Sequence, residues 1–300
     1  MKGVSVLALL LAIIFAGCKN ENAREETILK GNATIVVEES LLPIVEDVAT
    51  VFESQYDAKL NLVTASESEI VNALQNGKAR IAVLPRNLDS VELKAFHSRK
   101  MFPRTTVFGS DALALIQHRD VTDTLITIPE IVRLMKGEVV PGLRGLVFDN
   151  LNSGAVRQLM ALSNISKLPE NGIYSFKTNR EVIEYVASNK GMIGVVGVNW
   201  LTQPEESYAD FLSMIRAVKV QGKEGYYGPS QTNIAEGKYP LARDLFVINN
   251  QSYQGLGIGF ASFIAGERGQ RIILKSGLLP VRIPSRKIVT RPEILKNEKN

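Results

Sequence analysis

Cysteine and histidine are nearly missing from this chain of 300 residues, which has one cysteine, Cys18, and two histidines, His97 and His118. A single cysteine excludes a disulfide framework and any paired-thiol zinc or redox site. The two histidines stand in separate segments without acidic or cysteine partners at ligand spacing, so they read as surface residues and no metal site is expected. No G-x-S-x-G elbow, H-E-x-x-H helix or P-loop occurs. No nucleophile–base pair stands out either, so no catalytic residue is assigned, and no enzyme and no cofactor are expected. The run from Gly255 to Phe260 has glycines at dinucleotide-loop spacing but lacks the last one, and close helix packing explains it better. Long apolar runs are lacking too: Val4 to Gly17, broken only by Ser5, is shorter than the roughly 20 residues a membrane-spanning helix needs.

An excess of positive charge is only nominal. The formal net charge is +4, but Lys2 and the six basic and two acidic residues of 282–300 account for it, leaving 28 basic against 29 acidic residues in 18–281. A nucleic-acid partner is therefore not indicated.

What is present is a folded protein with a leader. A hydrophobic content of 45% with 22% charged residues excludes wholesale disorder. The length suits two domains of about 130 residues each. Lys2 followed by the Val4–Gly17 run has the make-up of a secretory signal, residues 1–17. It ends in Phe15-Ala16-Gly17-Cys18, which resembles the lipobox of bacterial lipoproteins, where a cysteine becomes the lipidated N-terminus. Cys18 is thus the expected lipidation site and membrane anchor, with 18–31 a polar tether. Lys19, where an Asp would hold a lipoprotein at the inner membrane under the enteric sorting rule, points to the periplasmic face of the outer membrane of a two-membrane bacterium.

The folded part reads as alternating strands and helices. ATIVVEE (33–39) is a strand, and Ser40 opens a helix whose Leu41, Ile44, Val45, Val48, Val51 and Phe52 repeat at helical spacing. KLNLVTA (59–65) is a second strand, after which Ser66 and Glu69 have capping-box spacing at a helix start. RIAVLP (80–85) is a third strand. PRTTVFGSDALALIQHR (103–119) reads as a strand broken at Gly109-Ser110. Then follow a TIPEIVRLMKG helix, a GLVFDN strand, a helix from Ser153, a REVIEYVAS helix, a GMIGVVGVNW strand, a polar stretch around Gly225-Tyr226-Tyr227-Gly228-Pro229, a DLFVINN strand (244–250) and a helix pair closed by Gly277. Trp200, Tyr226 and Tyr227 read as core or rim packing.

DALALI (111–116), FDNLNSGAVR (148–157), IGVVGVNW (193–200), YPLARDLFVINN (239–250) and GERGQRIILKSGLLP (266–280), in that order, resemble the PstS-like phosphate-binding family of type II periplasmic binding proteins. The resemblance implies an α/β fold of two lobes joined by two crossover strands, with a solute held in the cleft. On this chain lobe one is 32–115 plus 247–288, lobe two is 116–246, and 289–300 is a basic tail. The implied partners are phosphate or a similar oxyanion and an ABC permease. The implied ligand-binding positions are Ser40, Leu41, Ser66, Ser153, Gly154 and Ala155, at helix starts whose unpaired N–H groups attract anions.

The chain departs from that pattern in three places. The aspartate that phosphate-specific members carry after the third strand is Pro85 here, followed by Arg86. Their arginine four residues before the SGT serine is Asp149, and SGT itself reads Ser153-Gly154-Ala155. Glu38, Glu39, Glu67 and Glu69 crowd the first two helix starts, and Arg86 and Arg157 are the expected neutralising and ligand-binding cations. The alternative reading is the same fold reused as an interaction component of a bacterial envelope complex, with weak or no ligand binding.

Overall fold

The computed structural model describes residues 26–202 and 206–283. The leader, Cys18, most of the tether and the basic tail lie outside them.

The chain begins with β1 (Lys30–Glu38), a 3-10 turn (Glu39–Leu41), α1 (Leu42–Gln55), β2 (Asp57–Ala65), α2 (Glu67–Gln75), β3 (Ile81–Leu84), α3 (Ser90–Ser98) and β4 (Arg104–His118). The middle holds β5 (Leu125–Ile126), α4 (Ile128–Met135), β6 (Gly145–Phe148), α5 (Gly154–Leu162), β7 (Ile173–Ser175), α6 (Asn179–Ser188), β8 (Met192–Gly197) and α7 (Asn199–Thr202). A second 3-10 turn (Glu206–Tyr208), α8 (Ala209–Ser213), β9 (Ile215–Ala217), β10 (Lys219–Gln221), β11 (Tyr226–Tyr227) and α9 (Gln231–Ala235) lead to β12 (Ala242–Asn249), α10 (Leu256–Ala265), α11 (Glu267–Lys275) and β13 (Leu279–Pro280).

One curled sheet runs in the order β2-β1-β3-β12-β4-β8-β6-β7, with β13 and β9 also paired to β4. β1 lies parallel to β2 and β3, and β6 parallel to β7 and β8, as strand–helix–strand crossovers require. β4 belongs to both halves. Its Arg104–Ala112 section pairs antiparallel with β12, while Leu113–Ile116 pairs with β8. The buried apolar side chains sort accordingly: two clusters draw on residues 35–108 and 245–278 with Val198, and two on residues 112–241. Two lobes joined by β4 and β12 are the result. In α1 the buried Ile44, Val45, Val48 and Phe52 form the stripe that covers the first sheet half.

The structure corrects several local readings. Ser40 does not start the helix: it sits inside the 3-10 turn, and α1 begins at Leu42 with Pro43 in its first turn. Gly109-Ser110 does not break β4. The irregularity lies just before it in the same strand, where Phe108 is the extra residue facing the step between Leu245 and Phe246 of β12, and Gly109 is small because a Cβ there would lie 2.9 Å from the Leu279 carbonyl oxygen of β13. Asn199 and Trp200 turn into α7 rather than extending β8. The sequence reading also passed over α3, although Asp89, which accepts from the Val91 and Glu92 amides, has Glu92 at capping-box spacing.

Candidate functional site

The end of β1 delivers two consecutive carboxylates and a serine to the junction of the lobes. Glu38 is fully buried. Its Oε2 accepts from the Ser40 amide at 3.1 Å and from the Ser40 hydroxyl, and its Oε1 accepts from the Gly154 amide at 3.3 Å, across to lobe two. Gly154 opens α5, so its amide is one of the unpaired donors of a helix start. Both carboxylate oxygens of Glu39 accept from the Asn179 amide at 3.1 Å, at the start of α6, and the Asn179 Nδ2 donates to Oε2 as well. Trp200 Nε1 donates to the Ser40 carbonyl oxygen at 3.1 Å, a further tie between the lobes.

A cation stands behind this turn on the crossover strands. Arg243 of β12 donates through Nη2 to Ser40 Oγ at 2.8 Å and to Asp111 Oδ2 of β4 at 2.9 Å. Arg243 and Asp111 are both buried, and Arg243 Nε and Nη1 have no hydrogen-bond partner among the described residues. Asp149, also buried, leaves Oδ1 without a partner among them.

The crowding of carboxylates is visible in their acidities. Burial, with the neighbouring Asp149 charge, pushes the Glu38 carboxyl up to about 7, against the opposing pull of Arg243 and Ser40. Burial and Asp149 push Glu39 up to about 8, although the Asn179 bonds favour its charged form. Asp149 is raised by burial as well. Burial works against the Arg243 charge, but Asp111 and Glu38 outweigh it and keep the guanidinium protonated.

Of the expected site residues, the structure brings Ser40, Gly154, Arg86 and Arg157 to the lobe junction, with different duties. Arg86 Nε donates to Glu67 Oε1 at 2.6 Å, Arg157 Nε forms an ion pair with the same oxygen at 2.5 Å, and Arg86 also grips Glu92 with two bonds of 2.7 Å. They neutralise Glu67 and not Glu38 or Glu39, which is a correction to the sequence expectation. Glu69 is held instead by the Ser66 amide and hydroxyl at 2.9 and 2.7 Å, at the start of α2. Ser66 lines a cavity of about 170 Å3 with Glu39, Glu69, Asp149, Asn150 and Lys177. Arg86, Gly154, Arg157 and Arg243 line a wider opening of about 340 Å3 on the other side. Ser153 caps α5 through a 3.5 Å bond from the Val156 amide. Leu41 and Ala155 are buried in the cores of lobes one and two, so their side chains face away from the cleft.

Gly154 is a point of close approach between the lobes. A Cβ there would lie 2.7 Å from Glu67 Oε2 and 2.8 Å from Pro85 Cγ, so only glycine fits. The sequence reading missed Arg243, Asp111 and Asn179. The signal for the first two was an aspartate in the apolar DALALI and an arginine at the start of ARDLFVIN, and these two charges prove to be paired.

A family profile described as the PBP superfamily domain matches residues 22–268 of the chain. The chain belongs to the PBP superfamily. Within it, the PstS resemblance read from the sequence is borne out. The chain is 24% identical over 301 residues to the phosphate-binding protein PstS of Borreliella burgdorferi, covering 94% of this chain and 100% of that one. In fold it is similar to a putative phosphate ABC transporter substrate-binding protein with bound phosphate from Clostridium perfringens, with a TM-score of 0.70, 20% identity and coverage of 84% of this chain and 100% of that one. It is likewise similar to an ABC-type phosphate transport receptor from Vibrio cholerae, with a TM-score of 0.62, 17% identity and coverage of 82% and 99%.

Proposed function

We propose that this chain is an extracytoplasmic solute-binding protein that holds phosphate or a similar oxyanion between its lobes for an ABC importer. The observation that carries this is the convergence of the Ser40 hydroxyl, the Gly154 helix-start amide and the buried Arg243 guanidinium at the junction of the lobes. The PBP superfamily membership and the binding proteins it resembles support a binder rather than an enzyme. The lobes are 32–115 with 247–288 and 116–246, hinging on β4 and β12, close to where the apolar cores change over. Cys18 carries a lipid that anchors the chain in the cell envelope, on the periplasmic side of the outer membrane; the Phe15-to-Cys18 motif and Lys19 support this. No helix among the described residues is long and apolar enough to cross a membrane.

Isothermal titration of the full chain with inorganic phosphate and with sulfate tests the reading. Binding of either at micromolar to millimolar concentration is expected, and no heat from folded protein at millimolar ligand sinks it.

One observation favours a second reading, an interaction component of an envelope complex. Several donors at the cleft, the Gly154 and Asn179 amides and the Arg157 guanidinium, are already engaged by Glu38, Glu39 and Glu67 of the chain itself. Affinity purification from membranes separates the two, since recovery of permease and ATPase subunits alone counts against the second.

A further inference from the structure

We propose that the oxyanion seat of this protein is self-occupied: the Glu38 carboxylate stands in it as a tethered surrogate, and a solute oxyanion enters by displacing Glu38 and taking Arg243 as its charge partner. The proposal rests on the oxyanion-binding reading and says how that site works in this chain.

Glu38 makes the contacts that a small anion makes when it bridges two lobes. One oxygen receives Ser40 from lobe one, and the other receives the Gly154 amide from lobe two. That amide begins a nine-residue helix, whose start carries partial positive charge and idle N–H donors. The surrogate fits loosely, since its bond to Gly154 is 3.3 Å where charge-assisted N–H to carboxylate bonds run at about 2.7–2.9 Å.

Arg243 is the independent sign that the seat takes something larger. Its residue is only 8% exposed, yet Nε and Nη1 have no acceptor among the described residues. Nη1 flanks the same helix start, because a Cβ on Gly154 would lie 3.7 Å from it. Leaving buried donors idle is costly, the more so on a charged group. A carboxylate has two oxygens, and Glu38 spends both on Ser40 and Gly154. A tetrahedral oxyanion has further oxygens with which to reach the guanidinium donors that Glu38 leaves idle. The geometry therefore favours a tetrahedral over a planar anion. The opening of about 340 Å3 beside Arg243, with Arg86 and Arg157 on its wall, is the way in.

The test uses the full-length chain as wild type, Glu38→Ala, Glu38→Gln and Glu38→Ala combined with Arg243→Gln. Titration with inorganic phosphate is expected to show Glu38→Ala binding at least ten-fold more tightly than wild type. Adding Arg243→Gln is expected to cancel at least ten-fold of that gain. Millimolar sodium formate, which replaces the missing carboxylate, is expected to raise the Tm of Glu38→Ala and leave wild type unmoved. If Glu38→Ala answers to formate but neither to phosphate nor to sulfate, the surrogate seat stands and the phosphate-type solute falls. If wild type binds phosphate as tightly as the variant, the surrogate is overturned and the phosphate-type solute stands. A folded Glu38→Ala protein that answers to neither ion also overturns the surrogate. Glu38→Gln keeps an acceptor in the seat without the charge, so it covers a failure of the alanine variant to fold. It too is expected to bind phosphate about ten-fold more tightly, and equal or weaker binding overturns the proposal.

Discussion

Glu39 reaches from the end of β1 to the first residue of α6, 140 positions along the chain, and both its oxygens accept from the Asn179 amide at 3.1 Å. The pair clamps the lobes together with a carboxylate whose acidity burial has pushed from the ordinary 4.5 up to about 8.

That shift sets a pH dependence. Between the two values the folded chain holds a proton on Glu39 that the unfolded chain releases, so this group's contribution is complete below about pH 4.5 and is lost as pH rises towards 8. Glu39→Gln keeps the protonated shape at every pH. It is expected to match wild type near pH 5 and to become more stable than wild type by up to about 1.4 kcal/mol for each further pH unit. Urea denaturation at pH 5, 6.5 and 8 reads the difference, and a gap that stays constant across the series contradicts this account.

Gly154 is expected to tolerate no side chain. In Gly154→Ala the added methyl meets Glu67 Oε2 and Pro85, which overpacks the closed cleft by about 1–3 kcal/mol. Because Pro85 cannot swing aside, the lobes should part, and small-angle scattering should give a larger radius of gyration. An unchanged radius would mean that the cleft accommodates the methyl in place.

The two arginines on Glu67 should differ in weight. Arg86 is mostly buried and holds both Glu67 and Glu92, whereas half of the Arg157 side chain is in solvent. Arg86→Ala is expected to cost about 3 kcal/mol, as removal of a buried ion-pair partner does. Arg157→Ala should cost about 1 kcal/mol or less, and less still in high salt. Equal losses in urea melts would contradict this ranking.

Asp111 and Arg243 form the other test of buried charge. Asp111→Leu alone leaves the guanidinium without its buried partner and should cost about 3–5 kcal/mol. Combining it with Arg243→Met removes both charges and should restore most of that loss, at the expense of oxyanion binding. Denaturation of both variants beside a phosphate titration of the double one checks the two halves of the claim.

Much of the fold was legible because β3, β6 and β8 are short continuous buried runs while β1 and α1 bury their apolar residues at regular spacing, and both patterns are local information. The family phrases then supplied the lobe order. The centre of the site was not legible in the same way. Ser40, Gly154, Arg86 and Arg157 could be named from position, but their partners come from distant segments: Glu38 meets Gly154 and Ser40 meets Arg243 only after β4 and β12 have crossed. Short-range pattern could not say which of several glutamates each arginine would take. Nothing local matches Asp111 to Arg243, which has Asp244 as its chain neighbour, and it is the antiparallel register, residue 111 opposite residue 243, that makes them a pair.

The bond from Trp200 Nε1 to the Ser40 carbonyl gives the protein an intrinsic optical probe. Trp200 is the only tryptophan in the chain, it is 5% exposed, and its indole N–H ends on the residue that also touches Glu38 and Arg243. Its emission therefore reports one contact between the lobes without any label. Parting of the lobes wets the indole and shifts the spectrum to the red, and rearrangement around Ser40 alone alters intensity while the ring stays dry. Opening and solute exchange can thus be followed separately, in real time, on the native chain.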